Sequence, residues 1–546
     1  MRVLSLCFAA AAVILASAAP GTHAAASSRL GRMRIPGLDT FHKQQLDSIL
    51  SRYDAEQTQA ATGGSFKVAA APLTNAERAT AQAHRAQQAA KAVSATTFPS
   101  GNITTPLDHF DASNEVTFPL RYFVNTRHYV PPAQRKDPKQ PTTIIVLDSG
   151  ETAATDRLSF LDHGIVDILA NATNGIGIVL ENRYYGTSIP LRSQIEPVAE
   201  GWDSDGLRYL NYTQSLEDNA FFARNFKLPG FDEDLRAGLN KTRWVIYGGS
   251  LAGARAVHTR VRYPDLYQGA IGSSAVVKAL DFMPEYWSAA ARALPANCSN
   301  AQQTAVHGFD SIAVPLAKAE GKHNASTSKA RTTFLETWGA PNLTRVLNLA
   351  SLLTAGLENV QALNWDPTIG ESASSELKQF CSDLTSATGA NADKARQLQA
   401  TGIKAGQKLP TETYRLAAYL RTQYIDPCVA SPTTSANQSA ADACLGDPPA
   451  QTVAPTDPEE IAYTWSACLN FGWEQGGPQP GMPFRGPRVA SQLVDLKYLE
   501  QYDCSERIVP GKVFNLPSKP IVSEYNELGG FKINMDGIGF VDGQCE

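Results

Sequence analysis

The chain has 546 residues, 43% of them hydrophobic and 18% charged, with a formal net charge of -5. That apolar content excludes a disordered protein, and the length allows one large domain with insertions or roughly two to three smaller ones. The slight acidity offers no basic surface to nucleic acid or an anionic membrane, so neither is expected as a partner.

Residues 1–18 read as a signal peptide. Arg2 precedes an apolar run over 3–16, and Ala16-Ser17-Ala18 supplies the small residues of a cleavage site. The run ends before Pro20 and Gly21, short of the ~20 residues that span a bilayer. Secretion gives meaning to the Asn-x-Ser/Thr sequons at Asn102, Asn171, Asn211, Asn240, Asn297, Asn324, Asn342 and Asn437, which become glycan acceptors on surface loops. Cys7 leaves with the signal, and Cys298, Cys381, Cys428, Cys444, Cys468, Cys504 and Cys545 remain, an odd number. They are too dispersed for a zinc site, so disulfides are expected, with one thiol left over. Residues 19–100 read as a pro-segment or loosely attached extension. Their Ala/Gln-rich stretch 78–88 favours helix but lacks an apolar stripe with which to dock.

From residue 101 strand candidates at 118–124, 143–147, 176–180, 244–247 and 270–273 alternate with helical periodicity. Leu158, Leu161, Ile165 and Ile168 recur at helical steps, as do Leu216, Ala220 and Phe221. This alternation predicts a parallel sheet covered on both faces, with ligands at the carboxyl ends of its strands. The central stretch is Val245-Ile246-Tyr247-Gly248-Gly249-Ser250-Leu251-Ala252-Gly253, an apolar strand breaking at a serine into a helix. It has the form of a nucleophile elbow, in which small residues two before and two after the serine let the strand and helix backbones approach. Ala252 departs from the stricter G-x-S-x-G pattern. A Gly-rich turn with a structural serine is the alternative at this window. In an elbow, the Leu251 amide at the helix start is one oxyanion donor. The turn Asp148-Ser149-Gly150-Glu151-Thr152 ends an earlier strand at the same rim and makes the Gly150 amide the candidate for the second.

Residues 286–500 read mainly as helices, with a loop over 431–455, and strand-like sequence returns at 537–542. A helical insertion within an α/β sheet explains this order better than a separate C-terminal domain, because the last strand is otherwise orphaned. The expected segments are therefore 1–18, 19–100, a first core part at 101–285, a helical cap at 286–500 and a second core part at 501–546.

Several stretches resemble one family, the secreted and lysosomal serine peptidases that include prolyl carboxypeptidase and dipeptidyl peptidase II, with fungal prolyl endopeptidase-like members. They are Leu107-Asp108-His109-Phe110, the run 117–125, Glu181-Asn182-Arg183-Tyr184-Tyr185-Gly186-Thr187-Ser188-Ile189-Pro190, the run 210–222, the elbow, the run 464–472 and Asn526-Glu527-Leu528-Gly529-Gly530. The resemblance implies an α/β-hydrolase core with a helical cap, a peptide or protein substrate cleaved after proline, and no cofactor.

A serine hydroxyl needs a histidine base oriented by a carboxylate, in the chain order Ser, acid, His for this fold. After Ser250 come only His258, His307 and His323, none of them behind a late acid. His258 lies about two turns along the elbow helix, and the other two fall among polar residues of the insertion. In the family pattern F-x-N/D-G-x-x-D-P-W, the residues Phe540-Val541-Asp542-Gly543-Gln544-Cys545-Glu546 place Glu546 at the acid position. The resemblance then implies a C-terminally incomplete chain, inactive as it stands, whose histidine lies beyond Glu546. A naturally truncated, catalytically dead binding protein and a secreted esterase or lipase are the alternatives.

Overall fold

The computed structural model describes residues 45–57, 97–190, 204–320, 329–360, 371–430, 439–446, 458–500 and 519–542, together with Leu73, Arg78, Ala81, Gln82, Arg85, Cys504 and Pro517. The expected signal peptide, most of the Ala/Gln-rich stretch, Cys545 and Glu546 lie outside the described residues.

Seven strands form the main sheet: β1 Ser100–Pro106, β2 Thr117–Asn125, β3 Thr142–Asp148, β4 Ile176–Leu180, β5 Thr242–Gly249, β6 Gly269–Ser273 and, after the short strands β7 Leu280–Phe282 and β8 Gly472–Glu474, β9 Ile538–Val541. Their spatial order is β1-β2-β4-β3-β5-β6-β9. Every residue of β3 and β4 is buried, as expected of central strands covered on both faces. Side chains alternate between those faces. Ile144, Val146 and Ile178 pack with Phe222, Phe226 and Trp244 on one side, while Ile145, Leu147 and Val179 pack with Leu158, Phe160 and Leu161 on the other. The strand order, the crossovers and the elbow are those of an α/β-hydrolase.

The expected parallel sheet carries an antiparallel edge. Strands β4, β3, β5, β6 and β9 run parallel, but β1 pairs antiparallel with β2, and β2 antiparallel with β4. The β1–β2 connection is too short to hold the crossover that parallel neighbours require. The helix expected across Leu158 to Ile168 is two helices, Leu158–Asp162 and Ile165–Thr173, parted at Gly164. A Cβ at Gly164 would lie 2.8 Å from Phe160 Cα, and Ile168 points to solvent.

The helical region has its own apolar core, drawn from Trp287 through Leu499 with no strand residue of the sheet in it. Where the chain leaves the sheet, β7 pairs in parallel with β8. Helix Pro458–Ser466 and the segment through Trp473 pack instead on the sheet's side of the molecule, against Tyr184, Leu207 and Leu251. The expected loop 431–455 contains helix Ala440–Leu445, capped by Ser439 and held by the Cys428–Cys444 disulfide. Disulfides Cys298–Cys381 and Cys468–Cys504 complete the pairing of the described cysteines. Among the described residues no helix is long and apolar enough to cross a membrane.

Candidate active site

Strand β5 runs into helix Ser250–Arg262 with Ser250 at φ 57°, the left-handed conformation that a non-glycine residue adopts only when its surroundings impose it. The packing of the turn imposes it here. A Cβ on Gly248 would sit 2.1 Å from the carbonyl oxygen of Ala252, and one on Gly253 would sit 3.1 Å from that of Gly248. Ala252 fits where the stricter motif has glycine because the residue facing it is Gly150, whose absent Cβ would lie 3.1 Å from Ala252 Cβ. Ser250 is half-buried, and its hydroxyl makes no hydrogen bond among the described residues. The Leu251 amide lies in the first turn of the helix, whose N–H groups have no intrahelical acceptor and carry the positive end of the dipole.

The turn that holds Gly150 is tied down by hydrogen bonds. The Gly150 amide donates to Asp148 Oδ1 at 2.9 Å. What Gly150 supplies is the close approach to Ala252. The turn is also held from its other side, where Asn182 donates from Nδ2 to the Gly150 carbonyl at 3.0 Å and from its backbone to Ser149 Oγ at 3.3 Å. Glu181 accepts from the amides of Ala154, Thr187 and Ser188 at 2.9, 3.0 and 3.0 Å. Arg183, fully buried, forks onto Asp218 at 2.6 and 2.7 Å, and His109 Nε2 reaches the same carboxylate at 2.8 Å. Three of the stretches that carry the resemblance, 107–110, 181–190 and 210–222, thus meet beside the elbow.

Behind the elbow lies a buried charge pair that sequence reasoning missed. Asp148 Oδ2 accepts from Asn219 Nδ2 at 3.0 Å and meets Arg255 Nη2 at 3.2 Å, with both charged side chains almost wholly buried. Arg255 also donates to the Ser215 carbonyl at 3.3 Å. A signal was available in the sequence, since Arg255 sits among Ala252, Gly253, Ala254, Ala256 and Val257 on a helix with no polar face there, and a buried arginine demands a partner.

None of the described histidines is built as a base for Ser250. His258 is buried and shares a 2.7 Å hydrogen bond with Tyr212 Oη, about 12 Å along the helix from the serine. Burial, only partly opposed by the backbone of Val277, pushes its pKa down to about 4. His109 is bound to Asp218 and His128 to Asp167, while His163 and His307 are exposed. His323 lies outside the described residues. No cluster of metal-ligating side chains is present among the described residues.

The family model for serine carboxypeptidase S28 matches residues 105–496. The chain belongs to the serine carboxypeptidase S28 family. It is 30% identical over 463 residues to a probable extracellular serine carboxypeptidase of Arthroderma benhamiae, covering 82% of this chain and 58% of the relative. It is 31% identical to the mouse thymus-specific serine protease over 36% of this chain and 33% of the relative. The mouse lysosomal Pro-X carboxypeptidase is 28% identical over 32% of each chain. This S28 chain therefore spans between about a third and three fifths of these relatives' length. Similar solved structures include a peroxisomal α/β-hydrolase of Saccharomyces cerevisiae, 16% identical over 38% of this chain and 52% of that one, with a TM-score of 0.24. An acetyl esterase, MekB, is 13% identical over 61% and 75%, with a TM-score of 0.26. The fold of this S28 member rests on its own strand order and elbow.

Proposed function

We propose that the protein carrying this chain is a secreted serine peptidase that cleaves peptide bonds after proline through an acyl-enzyme on Ser250. The observation that carries the reading is the left-handed Ser250, half-exposed at the head of a helix in an S28 chain. The serine oxygen attacks the scissile carbonyl, and the Leu251 amide, aligned with the helix dipole, stabilises the oxyanion. The orienting carboxylate is assigned to Glu546. In support of that position, the sheet register sets Gly249 beside Ser273 and Ser273 beside Val541, so the carboxyl end of β9 lies at the rim from which Ser250 projects. The base is assigned to a histidine outside the described residues, since His109, His128 and His258 are engaged with Asp218, Asp167 and Tyr212. Secretion and proline preference follow the extracellular and Pro-X carboxypeptidase relatives.

The test is fluorophosphonate labelling of the active protein, with the adduct mapped by mass spectrometry and rates compared on peptides carrying Pro, Ala or Leu before the scissile bond. The adduct is expected on Ser250, with turnover falling on the order of ten-thousandfold or more in Ser250→Ala. An adduct on another serine overturns the nucleophile. Equal rates on the three peptides overturn the proline preference.

A further inference from the structure

A cavity of about 300 Å³, apart from the elbow, is lined by Phe110, Arg208, Asn211, Thr213, Gln214, Leu469, Asn470, Ile521 and Glu524. Its composition is unusual for this surface. Six large hydrophobic side chains are exposed among the described residues, and two of them, Phe110 at 56% and Ile521 at 44%, stand in this one cavity. Asn470 is 4% exposed and lines the same cavity, yet its carboxamide makes no hydrogen bond among the described residues. Apolar walls, an unpaired buried amide and the charged side chains of Arg208 and Glu524 together describe a site for a ligand with both an apolar face and amide or hydroxyl groups. Two of the lining residues, Asn211 and Thr213, are the acceptor and hydroxyl positions of a single sequon, Asn211-Tyr212-Thr213.

We infer that Asn211 is N-glycosylated and that its first N-acetylhexosamine seats in this cavity. The inference rests on the secretory reading above. In the modification, Asn211 Nδ2 displaces the pyrophosphate of a lipid-linked oligosaccharide at C1 of the sugar. The Nδ2–C1 bond forms, the C1–O bond breaks, one Nδ2 proton is released and the lipid pyrophosphate leaves with the bonding pair. The modified side chain keeps its structural role. Asn211 Oδ1 caps the helix Tyr212–Asn225 by accepting from the Gln214 amide at 3.0 Å, and that oxygen is untouched. Nδ2 donates only a 3.3 Å bond to the Arg208 carbonyl and retains one N–H after substitution. The C–H face of the pyranose covers Phe110 and Ile521, and its N-acetyl amide meets the Asn470 carboxamide. The other described sequon asparagines, Asn102, Asn171, Asn240, Asn297 and Asn342, are exposed, and none lines this cavity.

The experiment expresses the protein in a eukaryotic secretory host, maps glycan occupancy site by site by mass spectrometry, and follows release of each glycan by an N-glycanase under native conditions. Asn211 is expected to be occupied and to lose its glycan at least about tenfold more slowly than Asn240, because release requires the sugar to leave its seat. Phe110→Ala should bring the two rates together. Thr213→Ala, which removes the sequon and keeps the Asn211 cap, should lower the melting temperature, whereas Thr213→Ser should not. A bare Asn211 beside occupied sequons elsewhere overturns this inference alone. A secreted protein with no glycan at any sequon overturns it as well, and a protein retained in the cell without glycans overturns the secretory reading with it. Release from Asn211 as fast as from Asn240 overturns the seat, leaving the cavity to a separate small ligand.

Discussion

At the scale of single residues, the site depends on atoms that are missing as much as on those present. Gly248 has no room for a methyl group, because the intruding atom is the Ala252 backbone carbonyl at 2.1 Å, which cannot rotate away. Gly248→Ala is therefore expected to displace the elbow, to cost about 1 to 3 kcal/mol or more, and to abolish labelling of Ser250, read by urea unfolding and fluorophosphonate reaction together. The buried Asp148–Arg255 pair behaves differently. Arg255→Met strands a buried carboxylate and is expected to cost about 3 to 5 kcal/mol. The double variant Asp148→Asn with Arg255→Met leaves no charge to strand, and it keeps an oxygen for the Gly150 amide. Its urea midpoint should return most of the way to that of the parent protein. A double variant no more stable than Arg255→Met alone would show that the arginine acts through packing.

At the scale of elements, the helix Ala440–Leu445 shows how a short element survives in a stretch of loop-like composition. Ser439 Oγ accepts from the Asp442 amide at 3.0 Å, the Asp442 carboxylate takes the Thr344 amide at 2.7 Å, and Cys444 is bonded to Cys428. A capping serine three residues before an acid is a helix-start signal that the surrounding Ser, Thr, Ala and Pro obscured. Six residues are too few to be helical alone, so the disulfide and the Thr344 contact carry the element. Replacing Cys428 and Cys444 together by Ala is expected to cost about 3 kcal/mol for a loop of this length, seen as a lower melting temperature. An unchanged melting temperature would show that the Asp442 contacts suffice.

At the scale of the whole molecule, two buried groups make stability depend on pH in adjoining windows. Burial holds His258 neutral, with its pKa lowered to about 4, whereas in the unfolded chain it titrates near 6.5. The unfolded state then binds the extra proton. The contribution is complete above about pH 6.5 and is lost as pH falls towards 4, amounting to about 3 kcal/mol by linkage. For Asp218, burial alone would raise the pKa, but the Arg183 guanidinium and His109 outweigh it and leave it below the ordinary carboxylate value. Its contribution is present above about pH 4 and is lost as pH falls through its depressed folded value. His258→Gln is expected to flatten the slope of unfolding free energy between pH 4 and 6.5 and to leave the loss below pH 4 in place. A slope unchanged in that variant would place the upper window on another group.

The sequence by itself determined the α/β alternation, the central buried strands to within about two residues at each end, and Ser250 as the residue at the strand-to-helix break. Each of these follows from local periodicity and from the short-range sterics of small residues. It also determined that the later cysteines form disulfides, though not which pairs with which. Only the tertiary structure decided the antiparallel edge of β1 and β2, because strand direction depends on where a connection passes rather than on which residues it contains. The same holds for Arg255, whose partner Asp148 lies on strand β3. What joins Asp148, Asn182, Asn219 and Ser250 is contact between segments far apart in the chain, and such contacts leave no local pattern to read.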